Sequence, residues 1–124
     1  MNLIDNTNNC YHLGLVDQNT LYNLYNKSIA TICPSLAEES SLPMLEAFKF
    51  KSIVIASDNL SNLEKKEDFN FIIFKKKQIN SFYKSLISVC KKNKYYINFK
   101  SKNFNSLKKF TWELLVKKWV SQLI

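Results

Sequence analysis

Pro34-Ser35-Leu36-Ala37-Glu38-Glu39-Ser40-Ser41-Leu42-Pro43-Met44-Leu45-Glu46-Ala47-Phe48 is the stretch from which the rest of the chain can be read. An apolar run, Ile29-Ala30-Thr31-Ile32-Cys33, enters it. A helix predicted from about Leu42 or Pro43 to Phe50 leaves it. Pro43 suits the first helical turn, where a missing N–H costs nothing. Such a strand–loop–helix unit sets its loop beyond the carboxyl end of a strand, which is where open α/β sheets hold ligands. Helix N-termini also present unpaired N–H groups and the positive end of a dipole, so a phosphate can rest there.

The flanking segments repeat the same alternation. Upstream, Tyr11-His12-Leu13-Gly14-Leu15-Val16 reads as a short strand, interrupted by the only glycine. Asp17 is a good N-cap, and Leu21, Leu24 and Tyr25 follow at helical spacing. Downstream, Ile53-Val54-Ile55-Ala56 is an apolar run without alternation, as suits a strand covered on both faces. Asp58 or Ser61 can cap a short helix near Leu60–Lys65. Phe71-Ile72-Ile73-Phe74 reads as a further strand. From Gln78 to Lys92, Ile79, Phe82, Tyr83, Leu86, Ile87 and Cys90 keep a helical stripe. Tyr95, Tyr96 and Phe99 suggest another helix, and Thr111 caps a closing one that begins at Trp112.

Strands alternating with helices predict an α/β fold, a partial Rossmann-like parallel sheet of about four strands with flanking helices. At 124 residues and 46% hydrophobic, the chain is one domain or part of one and can bury a core. Residues 1–9 are polar and Asn-rich, a loose lead-in without the basic start and apolar core of a signal peptide. A cytoplasmic chain is the expectation. Cys10, Cys33 and Cys90 are odd in number and far apart, which suggests neither a disulfide framework nor a zinc site. His12, the sole histidine, has no relay partner nearby in sequence.

The net charge is +8, and all 18 basic residues are lysines. Residues 1–48 carry one lysine and five acids, hence −4; residues 49–124 carry 17 lysines and five acids, hence +12. Nothing resembling a nucleic-acid motif accompanies that charge, so no nucleic-acid partner is expected and at most peripheral membrane contact. Without arginine, the chain has no bidentate guanidinium clamp for phosphate.

Glu38 and Glu46 stand eight positions apart across the loop–helix junction. Spacing alone fits two readings. The acids can be solvated, with Glu46 complementing the helix dipole in about the first turn. They can also face one pocket, Glu46 gripping the paired hydroxyls of a ribose with its two acceptor oxygens. Ser40 and Ser41 can cap the helix or offer hydroxyls to a ligand.

Taken together, Pro34-Ser35, Glu38, Leu42-Pro43, Glu46-Ala47 and Val54-Ile55-Ala56-Ser57-Asp58 resemble, in register, the pattern P-S-x-x-E-G-F-G-L-P-x-x-E-A followed by V-V-A-S-D. That is the E-x7-E signature of the group 1 family of retaining, metal-independent nucleotide-sugar glycosyltransferases with the GT-B fold. Leu13-Gly14 with Leu21 to Tyr25, and Phe110-Thr111-Trp112, are similar to further motifs of that family, and the match covers roughly residues 10–124.

The resemblance implies that residues 10–124 are the second half of a GT-B C-terminal, donor-binding domain. It implies that Glu46 binds the donor ribose and that Glu38 contacts the donor sugar beside the reacting carbon, the candidate catalytic position. Backbone groups of Ser40, Ser41 and Leu42 would meet the sugar or diphosphate. Transfer to a glycan or lipid-linked acceptor, as in polysaccharide biosynthesis, would retain configuration with no metal and no cofactor beyond the donor. The chain departs from the family in three ways. Glu39-Ser40-Ser41 replaces Gly-Phe-Gly. Phe50-Lys51-Ser52-Ile53 replaces a C-G-x-P turn, which must then be rebuilt. The acceptor domain and the phosphate-binding loop with its basic residues have no counterpart here. The expectations are therefore a fragment with little turnover alone, a separate chain supplying the N-terminal domain, or a non-catalytic nucleotide-binding or interaction subunit that completes a partner.

Overall fold

A computed structural model describes residues 9–37, 40–91 and 93–123. Apart from Asn9, the lead-in lies outside them. Three parallel strands, β1 (Ala30–Cys33), β2 (Ile53–Ser57) and β3 (Ile72–Phe74), form one sheet in the order β1-β2-β3. Helices α1 (Gln18–Lys27), α2 (Leu42–Lys49), α3 (Leu60–Glu64), α4 (Ile79–Lys91), α5 (Asn93–Ser106) and α6 (Trp112–Leu123) alternate with the strands and then close the chain. The register pairs Ile32 with Ile55 and Ile55 with Ile72.

Central strand β2 is buried along its whole length, as its unbroken apolar run predicts. Its side chains alternate between two cores. Val54 and Ala56 join Met44, Ala47 and Phe48 of α2, with Phe69 and Phe71. Ile53 and Ile55 join Phe74 and Val89 on the other face. Phe48 stacks on Phe69 with centroids 4.7 Å apart, and burying such a ring stabilises the fold by roughly 2–3 kcal/mol. Asn103 of α5 ties the chain before β3 to this core. Its fully buried amide accepts from the Asn70 N–H and donates to the Asn70 carbonyl, both at 2.7 Å.

Three expectations need correcting. Tyr11–Val16 is not a strand among the described residues. Gly14 sits at φ +62°, which bends the segment out of an extended path. The α3 cap is Asn59, whose side chain accepts from the Asn62 N–H at 2.9 Å, and not Asp58 or Ser61. Asp58 instead takes the Lys76 N–H at 2.8 Å. The buried face of α4 is centred on Ser85 and Val89, flanked by Phe82 and Leu86, while Ile79, Tyr83 and Cys90 are exposed. The Ser85 hydroxyl is satisfied by the Ser81 carbonyl at 3.1 Å, so a polar residue can occupy this buried position without an unpaired group.

Candidate functional site

The loop leaving β1 is held at both ends by one buried polar network. At its start, the Ser35 carbonyl accepts from the Ser57 hydroxyl and from Asn59 Nδ2, the latter at 3.0 Å. At its end, the Ser41 hydroxyl donates to Asn62 Oδ1 at 2.8 Å. Asn62 Nδ2 in turn donates to the Ser57 carbonyl at 2.9 Å. Ser57 closes β2 and Asn59 and Asn62 begin α3, so the β2–α3 junction fixes the mouth of the β1–α2 loop. Sequence reasoning missed Asn59 and Asn62. Their only signal is a pair of asparagines placed after the Ser57-Asp58 motif.

Ser41 adopts φ +50°, ψ +44°, the left-handed region that costs a side-chain-bearing residue about 1 kcal/mol or more. It is fully buried, and its hydroxyl makes no capping bond to α2. The expected capping role is therefore not seen, because the hydroxyl is turned toward Asn62. The Ser41 carbonyl still accepts from the Met44 and Leu45 N–H groups at 3.0 and 3.2 Å, which starts the helix. Ser40 and Leu42 are exposed beside it. Glu38 and Glu39 lie outside the described residues.

The far end of α2 repeats the pattern. Lys51 sits at φ +56°. The Ser52 N–H reaches the Ala47 carbonyl at 2.8 Å and the Lys51 N–H reaches that of Phe48 at 3.1 Å. These two bonds make a Schellman stop, whose left-handed residue is usually glycine. The turn needs no rebuilding. Lys51 occupies the position of the motif glycine in the shape that a glycine favours, and its ammonium lies 4.9 Å from the centroid of the Phe104 ring. Ser41 stands likewise at the second glycine of G-F-G. The backbone is left-handed at both points although neither residue is glycine.

Glu46 falls in the second turn of α2, not the first, so dipole complementation does not account for it. Its Oε2 accepts from the Tyr25 hydroxyl of α1 at 3.0 Å. Burial, reinforced by this hydrogen bond and by the charge of Glu46, pushes the Tyr25 phenol up to about 12, so it remains a proton donor. Tyr25 is held by parallel stacking on Phe50, centroids 6.0 Å apart. The helical stripe foretold that Tyr25 packs, but not that it reaches a carboxylate 21 residues on. Glu46 also borders an open cleft of about 380 Å³ between α2 and α5, lined with Leu45, Lys49, Phe104, Leu107 and Lys108. Ser41, just before α2, is thus turned into the core, and Glu46, in its second turn, out to solvent.

Parallel strands, helix cover on both faces and a helix-starting loop beyond β1 define a partial Rossmann-like domain. Within that class the assignment is specific: the model of the family described as "Glycosyl transferases group 1" matches residues 3–106, and the chain belongs to that family. The family's chemistry is glycosyl transfer. Comparison with curated proteins finds no match.

Proposed function

We propose that this chain is the donor-binding part of a retaining glycosyltransferase, which takes a sugar from a nucleoside diphosphate and passes it to a glycan or lipid-linked acceptor. The single observation that carries this reading is the retention of left-handed backbone at Ser41 and Lys51, where the family's motif has glycine. Non-glycine residues hold such conformations only when the surroundings over-determine them. The loop shape thus outlasts the residue type suited to it.

In this reading Glu46 receives the two ribose hydroxyls. Tyr25 occupies part of Oε2, and Oε1 offers its lone pairs to the ribose. The amides of exposed Ser40 and Leu42 face the diphosphate, while fully buried Ser41, its hydroxyl engaged by Asn62, sets the loop shape between them. Glu38 contacts the donor sugar. The leaving diphosphate needs cations, and electrostatic stabilisation of this kind is usually a large catalytic term. No arginine is present to supply it. In this reading turnover also uses an acceptor domain and a basic phosphate site that lie beyond these residues, on the same polypeptide or on another.

The test is calorimetric titration of the chain with nucleoside diphosphates and their 2′,3′-dideoxy counterparts. Ribose should be preferred by about tenfold or more, as fits two charge-assisted hydrogen bonds. Glu46→Gln should remove most of that preference. Ribose-blind binding would refute the assignment of Glu46, and sugar transfer by these residues alone would refute the need for the further acceptor and phosphate sites.

A second reading, a non-catalytic subunit that completes another chain, is favoured by β1. Among the described residues it pairs with β2 on one side only, and Ile32 is 40% exposed. An open edge of this kind is a template for a strand from elsewhere. Stoichiometric co-purification with a larger chain, without nucleotide binding, would select it.

A further inference from the structure

Glu46 is exposed and has a choice of partners. On one side, the Tyr25 hydroxyl of α1 donates to its Oε2 at 3.0 Å. On the other, Lys49 and Lys108 border the same cleft between α2 and α5 that Glu46 borders. Lys49 follows Glu46 by three positions on α2, and a carboxylate and an ammonium so spaced on a helix are neighbours that attract each other. One ring supports both kinds of partner. Tyr25 stacks on Phe50 with an interplanar angle of 1°, and the Lys49 ammonium lies 6.0 Å from the centroid of the same ring.

The two kinds of partner differ in what they leave free. An ammonium is a compact charge on a flexible stem, and its several donors can take either carboxylate oxygen or both. A phenol has a single proton to give and few torsions to fix. Tyr25 is half-buried and packs against the core beneath α2, so its hydroxyl stands in one place and takes one lone pair of Oε2. An exposed glutamate without such a tether samples many rotamers, and a ligand that needs one of them binds more weakly in proportion to how seldom it is populated. We infer that Tyr25 is a positioning residue for ribose recognition: it holds the Glu46 carboxylate to α1 in competition with Lys49 and Lys108, and keeps Oε1 free for the ribose. This rests on the reading of Glu46 as the ribose-binding acid.

The test reads the carboxylate both without and with ligand. In the ligand-free chain, three-bond nuclear magnetic resonance couplings across the Glu46 side chain should report one dominant rotamer, and averaged values in Tyr25→Phe. In calorimetric titration, Tyr25→Phe should cut the preference for a nucleoside diphosphate over its 2′,3′-dideoxy counterpart by about fivefold, with affinity for the dideoxy form little changed. Adding Lys49→Gln and Lys108→Gln to Tyr25→Phe should restore part of that preference, because the competing cations are gone. A tyrosine that only braces the fold gives no such rescue. Tyr22→Phe also removes a phenol from α1, one that is bonded to Gln18, and should alter neither readout. Averaged couplings in the unaltered chain, a single rotamer kept in Tyr25→Phe, an undiminished ribose preference in that variant, or no rescue would each overturn the inference. Couplings that behave as stated alongside ribose-blind binding by the unaltered chain would locate the failure in the assignment of Glu46 to the ribose, and the positioning role would fall with it.

Discussion

Lys51 offers the sharpest test of the retained backbone shape. Its φ of +56° and the two closing bonds of the α2 stop require a left-handed residue there. Glycine enters that region with little penalty, while a side chain costs about 1 kcal/mol. Lys51→Gly should recover that amount and lose the ammonium contact over Phe104, worth about 0.5 kcal/mol at an exposed site. The net expectation is a gain of about 0.5 kcal/mol. Lys51→Ala keeps the backbone cost and loses the same contact, a loss of about 0.5 kcal/mol. The two variants should differ by about 1 kcal/mol with glycine the more stable, which for 124 residues is about 4 °C in Tm. In exposed, mid-helix Lys84 of α4 the order must reverse, because alanine exceeds glycine in a helix interior by about 1 kcal/mol. Urea unfolding followed by far-ultraviolet circular dichroism reads all four variants. Alanine equal to or better than glycine at position 51 would mean that the turn is not left-handed, and the case for an inherited loop shape would fail with it. Ser41 adds a graded check. Alanine and glycine both remove the hydroxyl from Asn62, costing about 1–3 kcal/mol, and glycine should regain about 1 kcal/mol.

Other perturbations follow from the same contacts. Asn62→Ala withdraws a fully buried amide from both Ser41 and Ser57, and should destabilise by about 2–4 kcal/mol in the same urea assay. Asn103→Ala strands the Asn70 N–H and carbonyl, with a loss of similar size, about 2–4 kcal/mol. Tyr25 has a folded pKa raised to about 12 against an ordinary value of 10, so the folded state holds that proton more tightly. Its contribution to stability is complete below pH 10 and is lost as pH rises from 10 through about 12. Ultraviolet titration of the phenols should show one late-ionising tyrosine that disappears in Tyr25→Phe, and the same variant should flatten the alkaline fall in stability. If all the phenols titrate together near their ordinary value, the Tyr25–Glu46 bond is not made in solution.

What the sequence reveals, and what it hides, divides along a physical line. Ile53–Ala56 was legible because a strand covered on both faces must be apolar at every position, and that rule is local. The Asp17 cap was legible for the same reason, its carboxylate reaching the Thr20 N–H three residues on, at 3.0 Å. Tyr11–Val16 misled because apolar residues around a glycine do not reveal whether the glycine bends the chain. The face of α4 was misjudged because hydrophobic spacing ranks residues by greasiness, while a serine whose hydroxyl bonds within its own helix, Ser85, can be buried as well. At the site, the helix start could be placed from residue types, and Glu46 to within about a turn. The bonds that position them could not, since Tyr25–Glu46, Ser35–Ser57 and Ser41–Asn62 each join residues 21 or 22 apart. The substitutions at Ser41 and Lys51 mislead in the opposite sense. By residue type they announce a lost motif; by backbone they preserve it. Conformation at these two points is dictated by the buried network under the loop and by the stop after α2, both built from neighbouring elements. A residue other than glycine therefore raises the energy of the loop without changing its shape, and the donor site proposed here needs no glycine at either point to keep its outline.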